Sequence, residues 1–281
     1  PRDILAANPD YAPLMERWAE QETPGEAMDA MNAYEAALQQ WDQANAAAKS
    51  KGEAQPASPR RPGGGLAGNH RPGNLFNGNL HPIIGYGIRG AIWYQGESNA
   101  SRAYQYRDLF PTMISVWRDL WAQGDFPFYW AQLADFRDEK PEPVESDWAE
   151  LREAQSRTLS LPNTGEAVII DLGEAHDIHP KDKQGVARRL ARWALAQDYG
   201  YEGLAHRSPT FASMRVDGSK AILTFEHVGA GLDTFDVRQP VGFAVAGEDR
   251  QFHWAEGKIV DATTMEIWAE AVENPVAVRY G

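Results

Sequence analysis

The chain has 281 residues and no cysteine. That excludes a disulfide framework and any zinc site built on thiolates, and it removes the usual clue to redox compartment. Positive charge is scarce: 27 Lys and Arg stand against 40 Asp and Glu, a formal net charge of −13. A nucleic-acid partner requires a basic footprint, and an anionic membrane surface attracts basic segments, so neither is expected. No apolar run approaches the roughly 20 residues that cross a bilayer. No leader-peptide pattern is visible, but the first residue is Pro1, so this carries no weight about location. The seven histidines show no His-Glu-x-x-His or comparable spacing, and no metal is expected.

What is present suffices for a core. Hydrophobic residues make up 43% of a chain longer than a typical single domain. Ten tryptophans are many for this length. Aromatic faces serve carbohydrate sites, although packing is their commoner use.

The amino-terminal part reads as helical. Leu14, Met15 and Trp18 form a stripe within Tyr11–Gln21, closed by Pro24. Met31, Tyr34, Leu38 and Trp41 fall at i, i+3, i+7 and i+10, predicting a long amphipathic helix over 25–50. Its face would pack on the main body, or serve as a lid or an oligomer contact. Residues 51–73 are rich in Pro and Gly, with Arg60, Arg61 and Arg71 as a local basic patch, and read as a linker. A short helix is expected near 74–84.

The next stretch, Ile88–Ala100, changes character halfway. Ile88, Ala91, Ile92, Trp93 and Tyr94 are strand formers; Gln95, Gly96, Glu97, Ser98 and Asn99 are small or polar. That is how a buried strand delivers hydrogen-bonding groups to the carboxyl edge of a sheet. Helix is then predicted over 101–123, with Leu109, Met113, Val116 or Trp117, and Leu120 as its stripe. Strand follows at Phe126–Leu133, helix at Trp148–Leu161 with Trp148, Leu151, Gln155 and Leu159 on one side, strand at Ala167–Leu172, and helix at Lys181–Tyr199 with Val186, Leu190 and Trp193 inward. Such alternation predicts an α/β fold with a parallel sheet. Beyond Gly200, runs at Ala221–Phe225, Val241–Ala246, Gln251–Trp254, Met265–Ala269 and Val276–Tyr280, with a turn at Asp217-Gly218, predict an antiparallel β module. The expected division is an α/β core over 1–200, carrying a helical and linker insertion at about 25–73, and a β-rich domain over 201–281.

Asp177-Ile178-His179-Pro180 follows the strand expected at Ala167–Leu172. An imidazole there could act as a base, with a carboxylate fixing its tautomer. By itself an Asp-x-His tripeptide reads more readily as a loop histidine beside a solvated acid.

Three segments, taken together, are similar to one family. Arg-Pro-Gly-Asn-Leu-Phe-Asn-Gly-Asn-Leu, Trp-Tyr-Gln-Gly-Glu-Ser-Asn, and Asp-Ile-His-Pro-Lys-Asp-Lys-Gln-Gly-Val-Ala-Arg-Arg-Leu-Ala resemble the sialate O-acetylesterases, a branch of the SGNH hydrolases, in the family's order; so does the ending Asn-Pro-Val-Ala-Val-Arg-Tyr. The resemblance implies a flavodoxin-like SGNH core, here incomplete at its amino end, and a cofactor-free carbohydrate O-acetylesterase acting on O-acetylated sugars. His179 would be the general base and Gln95 and Gly96 would lie near the oxyanion hole, while Glu97 and Asn99 brace the loop. Asp177 is the favoured acid, two residues before His179; the broader SGNH pattern has it three before, where His176 stands, and Asp171 is the competitor. The family's nucleophilic serine belongs to a Gly-Gln-Ser-Asn-Met motif that does not occur in these residues. The expectation is therefore that an upstream segment or a companion chain supplies it. Ser98 is the internal alternative. A carbohydrate-binding or assembly subunit without catalysis, and another short-chain serine esterase of the same fold, are the rival functions. A homo-oligomer is compatible with the sequence, and the family favours a periplasmic or secreted location.

Overall fold

The computed structural model describes residues 2–21, 24–62, 71–235 and 237–281. By internal contacts the chain divides into two units, Pro1–Tyr86 and Gly87–Gly281.

The first unit contains α1 (Arg2–Ala7), α2 (Ala12–Gln21) and α3 (Pro24–Lys51). Trp18 of α2 is buried. Pro24 opens α3, where its fixed φ suits a first helical turn. Met31, Tyr34, Leu38 and Trp41 are half-buried along α3, as their spacing predicts. Gly52, at φ 67°, ends the helix in the left-handed conformation that glycine tolerates best. Residues 53–62 have no regular structure, and the Trp41 indole donates to Pro56 O at 2.8 Å, tying this segment to α3. The glycine run 63–65 lies outside the described residues. In place of a regular helix near 74–84 there is a π-helical turn at Phe76–Leu80 and a 3-10 turn at His81–Ile83, in a sequence whose Asn and Gly disfavour an α-helix.

The second unit begins with three parallel strands, β1 (Ala91–Trp93), β2 (Phe128–Ala131) and β3 (Thr164–Ala167), in the order β1-β2-β3. Helices α4 (Ala103–Trp121), α5 (Asp147–Arg157) and α6 (Lys183–Gln197) follow them in turn. All four residues of β2 are buried. Its side chains alternate: Phe128 and Trp130 pack edge-on against Phe110 of α4, and Tyr129 stacks on Trp193 of α6 from the other face. Each such aromatic buries apolar surface worth about 1.5–3 kcal/mol. The mixed α/β architecture with its parallel sheet is the one read from the alternation of elements.

Several details differ from the spacing argument. The deepest residues of α4 are Tyr106, Phe110, Ile114, Arg118 and Trp121, while Leu109, Met113 and Leu120 flank them half-buried. The charge of Arg118 hides this stripe in the sequence. Its guanidinium is only 5% exposed because it donates to the carbonyls of Phe126, Pro162 and Asn163. The α5 stripe stops at Gln155: a 3-10 turn at Thr158–Ser160 buries Thr158 and leaves Leu159 exposed.

Strand β3 covers Thr164–Ala167 rather than Ala167–Leu172. Val168–Leu172 has the stronger strand composition but runs past Ala131, where β2 ends, and finds no ladder. Gly165 is needed because the Trp193 ring occupies the space a Cβ would take.

The remaining strands are antiparallel. A four-stranded sheet has the order β4 (Thr210–Asp217), β5 (Lys220–Glu226), β9 (Thr264–Trp268), β8 (Glu256–Ile259); a three-stranded sheet has β10 (Ala277–Tyr280), β6 (Phe243–Ala246), β7 (Phe252–Trp254). The turn read at Asp217-Gly218 joins β4 to β5, with Asp217 opposite Lys220. Strand β4 escaped the pattern because nearly every residue in it is exposed, so its sequence shows no alternation.

Candidate active site

Behind β1 the backbone turns at Gly96, whose φ of 157° and ψ of −23° strain any L residue. A Cβ there would lie 3.0 Å from Leu151 Cδ2 and 3.2 Å from Gln155 Nε2, so contact as well as conformation requires glycine. The turn starts a 3-10 segment, Glu97–Arg102, and Asn99 N donates to Gly96 O at 2.8 Å.

Gln95 is held from both ends. Its Oε1 accepts from Tyr106 Oη at 2.9 Å, and its Nε2 donates to Asn99 Oδ1 at 2.7 Å. Burial pushes the Tyr106 phenol well above its usual range, which keeps it a donor. The Gln95 carbonyl accepts from Gln155 Nε2 at 3.3 Å. Gln155 is fully buried, and its Oε1 accepts from Leu133 N at 2.9 Å, so one amide links the ends of β1 and β2. One N–H of the Gln95 amide remains available, and the Gly96 N–H takes no partner among the described residues.

A second loop, after β3, carries His179, with its side chain 83% exposed. Asp177 Oδ1 accepts the His179 backbone N–H at 2.9 Å and lies 3.7 Å from Nδ1. The first contact is a local side-chain turn; the second is beyond hydrogen-bond length, within a small rotation of it. Asp171, the other carboxylate considered, has both oxygens engaged by Arg189 at 2.5 Å, and these bonds hold its carboxyl below the usual range. His176 sits 3.4 Å from Asp138.

The two loops share a cleft of about 540 Å³ at the carboxyl edge of the sheet. Gln95, Glu97, Ser98 and His179 all line it. Gly96, Asn99 and Asp177 are not among its lining residues. Among the described residues Ser98 makes no side-chain hydrogen bond. Residues to which the sequence assigned no chemical role complete the cleft: Tyr94, Ile178, Pro180 and Lys183. Burial, and then Glu97, push the Tyr94 phenol up to about 12, and Lys183 Nζ lies 5.4 Å from its ring centroid. Gln155 had a signal: it is the one polar residue in an otherwise apolar helical stripe. Among the described residues no group of three His, Asp or Glu could hold a metal ion.

Strand β3 carries a second buried polar group. Glu166 of β3 accepts from Trp130 Nε1 at 3.0 Å and from Ser156 Oγ at 2.8 Å, and Gln132 Nε2 donates to Ser156 Oγ at 3.1 Å. Burial raises its carboxyl from 4.5 to about 7, against these hydrogen bonds.

An open parallel sheet with amide donors behind one strand and an imidazole behind another defines an α/β protein with a cleft at the strands' carboxyl ends, where such folds place their sites. Residues 79–195 match the family described as carbohydrate esterase, sialic acid-specific acetylesterase. The sialate O-acetylesterase of Mus musculus is 31% identical over 180 residues, 58% of this chain and 33% of that protein. The sialate O-acetylesterase of Homo sapiens is 30% identical over 171 residues, 54% and 32%. The crystal structure of a carbohydrate acetylesterase from Xanthomonas citri aligns with a TM-score of 0.68 and 43% identity, covering 73% of this chain and 48% of that one. Over residues 79–195, then, the chain is similar to the sialate O-acetylesterase family of carbohydrate esterases. It spans about a third of the length of the curated relatives that it matches.

Proposed function

We propose that the chain supplies the base and charge-stabilising parts of a carbohydrate O-acetylesterase site. His179 takes the proton from a serine hydroxyl as it attacks the acetyl carbonyl, and later activates water to hydrolyse the acyl-enzyme. Asp177 rotates onto Nδ1 and steadies the imidazolium. The free N–H of Gln95 and the N–H of Gly96 meet the negative charge that develops on the carbonyl oxygen. The observation that supports this most is the shared cleft: Gln95 and His179, from different strands, line one space large enough for an acetylated sugar ring.

The attacking serine is proposed to come from a segment outside this chain, set against β1. Among the described residues the outer edge of β1 has no strand partner, and Ile92 on that strand is 71% exposed. Such an edge is a template for another strand, and one aligned there would end beside Gln95. Ser98 is the second reading, kept because it lines the same cleft as His179.

Acetate release from an acetylated sugar separates the two. With an external serine, the chain alone is inactive and becomes active only with a segment carrying the family's serine motif. With Ser98 as nucleophile, the chain alone hydrolyses the ester and Ser98→Ala abolishes it.

A further inference from the structure

A second concavity of about 150 Å³ lies between the end of β3, the middle of α6 and residues 205–208. It is below the roughly 300 Å³ at which pockets for drug-sized ligands begin, so it suits a small ion or one charged group of a larger molecule. Arg189, Arg192, His206, Arg207 and Ser208 line it, and no carboxylate does. On a chain of net charge −13 this is a local reversal of sign.

The three guanidinium groups are not equivalent. Arg189 is neutralised by Asp171 and fixed by a bond to Val168 O at 2.7 Å, with Asp182 adding attraction. Arg192 makes no hydrogen bond or ion pair among the described residues. Arg207 meets no carboxylate there either: Nη1 donates to His227 Nε2 at 3.1 Å, and the guanidinium lies 5.4 Å over the Trp193 ring. The His206 ring is held at both nitrogens: Nδ1 pairs with Leu204 O at 2.9 Å and Nε2 with Gln197 Nε2 at 3.0 Å. Ser208 Oγ has no partner among the described residues.

Two guanidinium groups without counter-charges at one small space repel each other, and a bound oxyanion would relieve this while accepting from their planar forks. We propose that this concavity binds a small oxyanion, a carboxylate or phosphate group, through Arg192 and Arg207, with Ser208 as a further donor. The site uses none of the residues assigned to ester hydrolysis and stands whether or not that assignment does.

Calorimetric titration of the full chain with inorganic phosphate, and separately with acetate, tests it. One saturable site per chain is expected for at least one probe, weakening as ionic strength rises. Binding of phosphate alone identifies a phosphoryl ligand; binding of acetate identifies a carboxylate. Arg192→Gln removes a side chain with no described contact, so it should fold normally and bind at least tenfold more weakly. Arg207→Gln should do the same, with its melting temperature checked because of the Trp193 contact. The proposal is overturned if neither probe gives saturable heat up to about 10 mM, or if Arg192→Gln binds as tightly as the unaltered chain.

Discussion

The two sides of the cleft are built to different standards. Behind β1, Gln95 is clamped by Tyr106, Asn99 and the fully buried Gln155, and Gly96 is wedged against Leu151. Behind β3, the His179 side chain is 83% exposed and Asp177 Oδ1 lies 3.7 Å from its Nδ1, beyond hydrogen-bond length. Oxyanion donors must be in place before charge develops, because reorganising dipoles during the reaction would forfeit their effect. A base can tighten its hydrogen bonds once the nucleophile and substrate arrive. The contrast predicts that substitutions on the first side act on stability and those on the second on rate.

The largest effect should come from His179→Ala. Acetate release by the assembled enzyme should fall by roughly 10²–10⁴-fold, while the denaturation midpoint moves little, since the exposed imidazole contributes little to packing. A stability loss as large as that of a core substitution would break the comparison.

Next is Glu166→Gln, in the buried polar group of β3. A carboxyl that titrates at about 7 when folded and near 4.5 otherwise favours the neutral form in the native state. Its stabilising effect is complete below pH 4.5 and is lost as pH rises through 7. The unaltered chain should therefore lose up to about 3 kcal/mol of stability between pH 5 and pH 8 that the glutamine variant keeps. Denaturant titration across that range reads the difference, and identical pH profiles would contradict it.

Gly96→Ala should cost about 1–3 kcal/mol from backbone strain, with further loss from the contact with Leu151. It should also reduce activity, because the same shift moves the Gln95 amide. The smallest effect is expected from Asp177→Asn: roughly tenfold in rate, the worth of about one net hydrogen bond, with unchanged stability. A much larger loss would mean that the Asp177–His179 bond is already formed in the resting protein.

How far the sequence revealed this arrangement depended on what each residue had to do. Where a side chain only had to be apolar, spacing sufficed: Val186, Leu190 and Trp193 of α6 are all buried. Where burial involved a polar group satisfied by distant partners, spacing misled. Nothing in the spacing marked Arg118 or Glu166 for burial, yet one gathers carbonyls from beyond its helix and the other bonds across β2 and α5. The cleft was legible at Gln95, Gly96 and His179 because abrupt changes from apolar to polar mark strand ends. Gln155 showed only as a polar residue in an apolar stripe and Tyr106 not at all, since what they do depends on which strand end lies beneath each helix, a fact of three dimensions.

The most direct test of the central claim is acetate release from an acetylated sugar by this chain mixed with a segment carrying the Gly-Gln-Ser-Asn-Met motif. The account predicts hydrolysis only in the mixture, abolished there by His179→Ala and unaffected by Ser98→Ala. Equal rates with and without the segment, or an undiminished rate in His179→Ala, would contradict it.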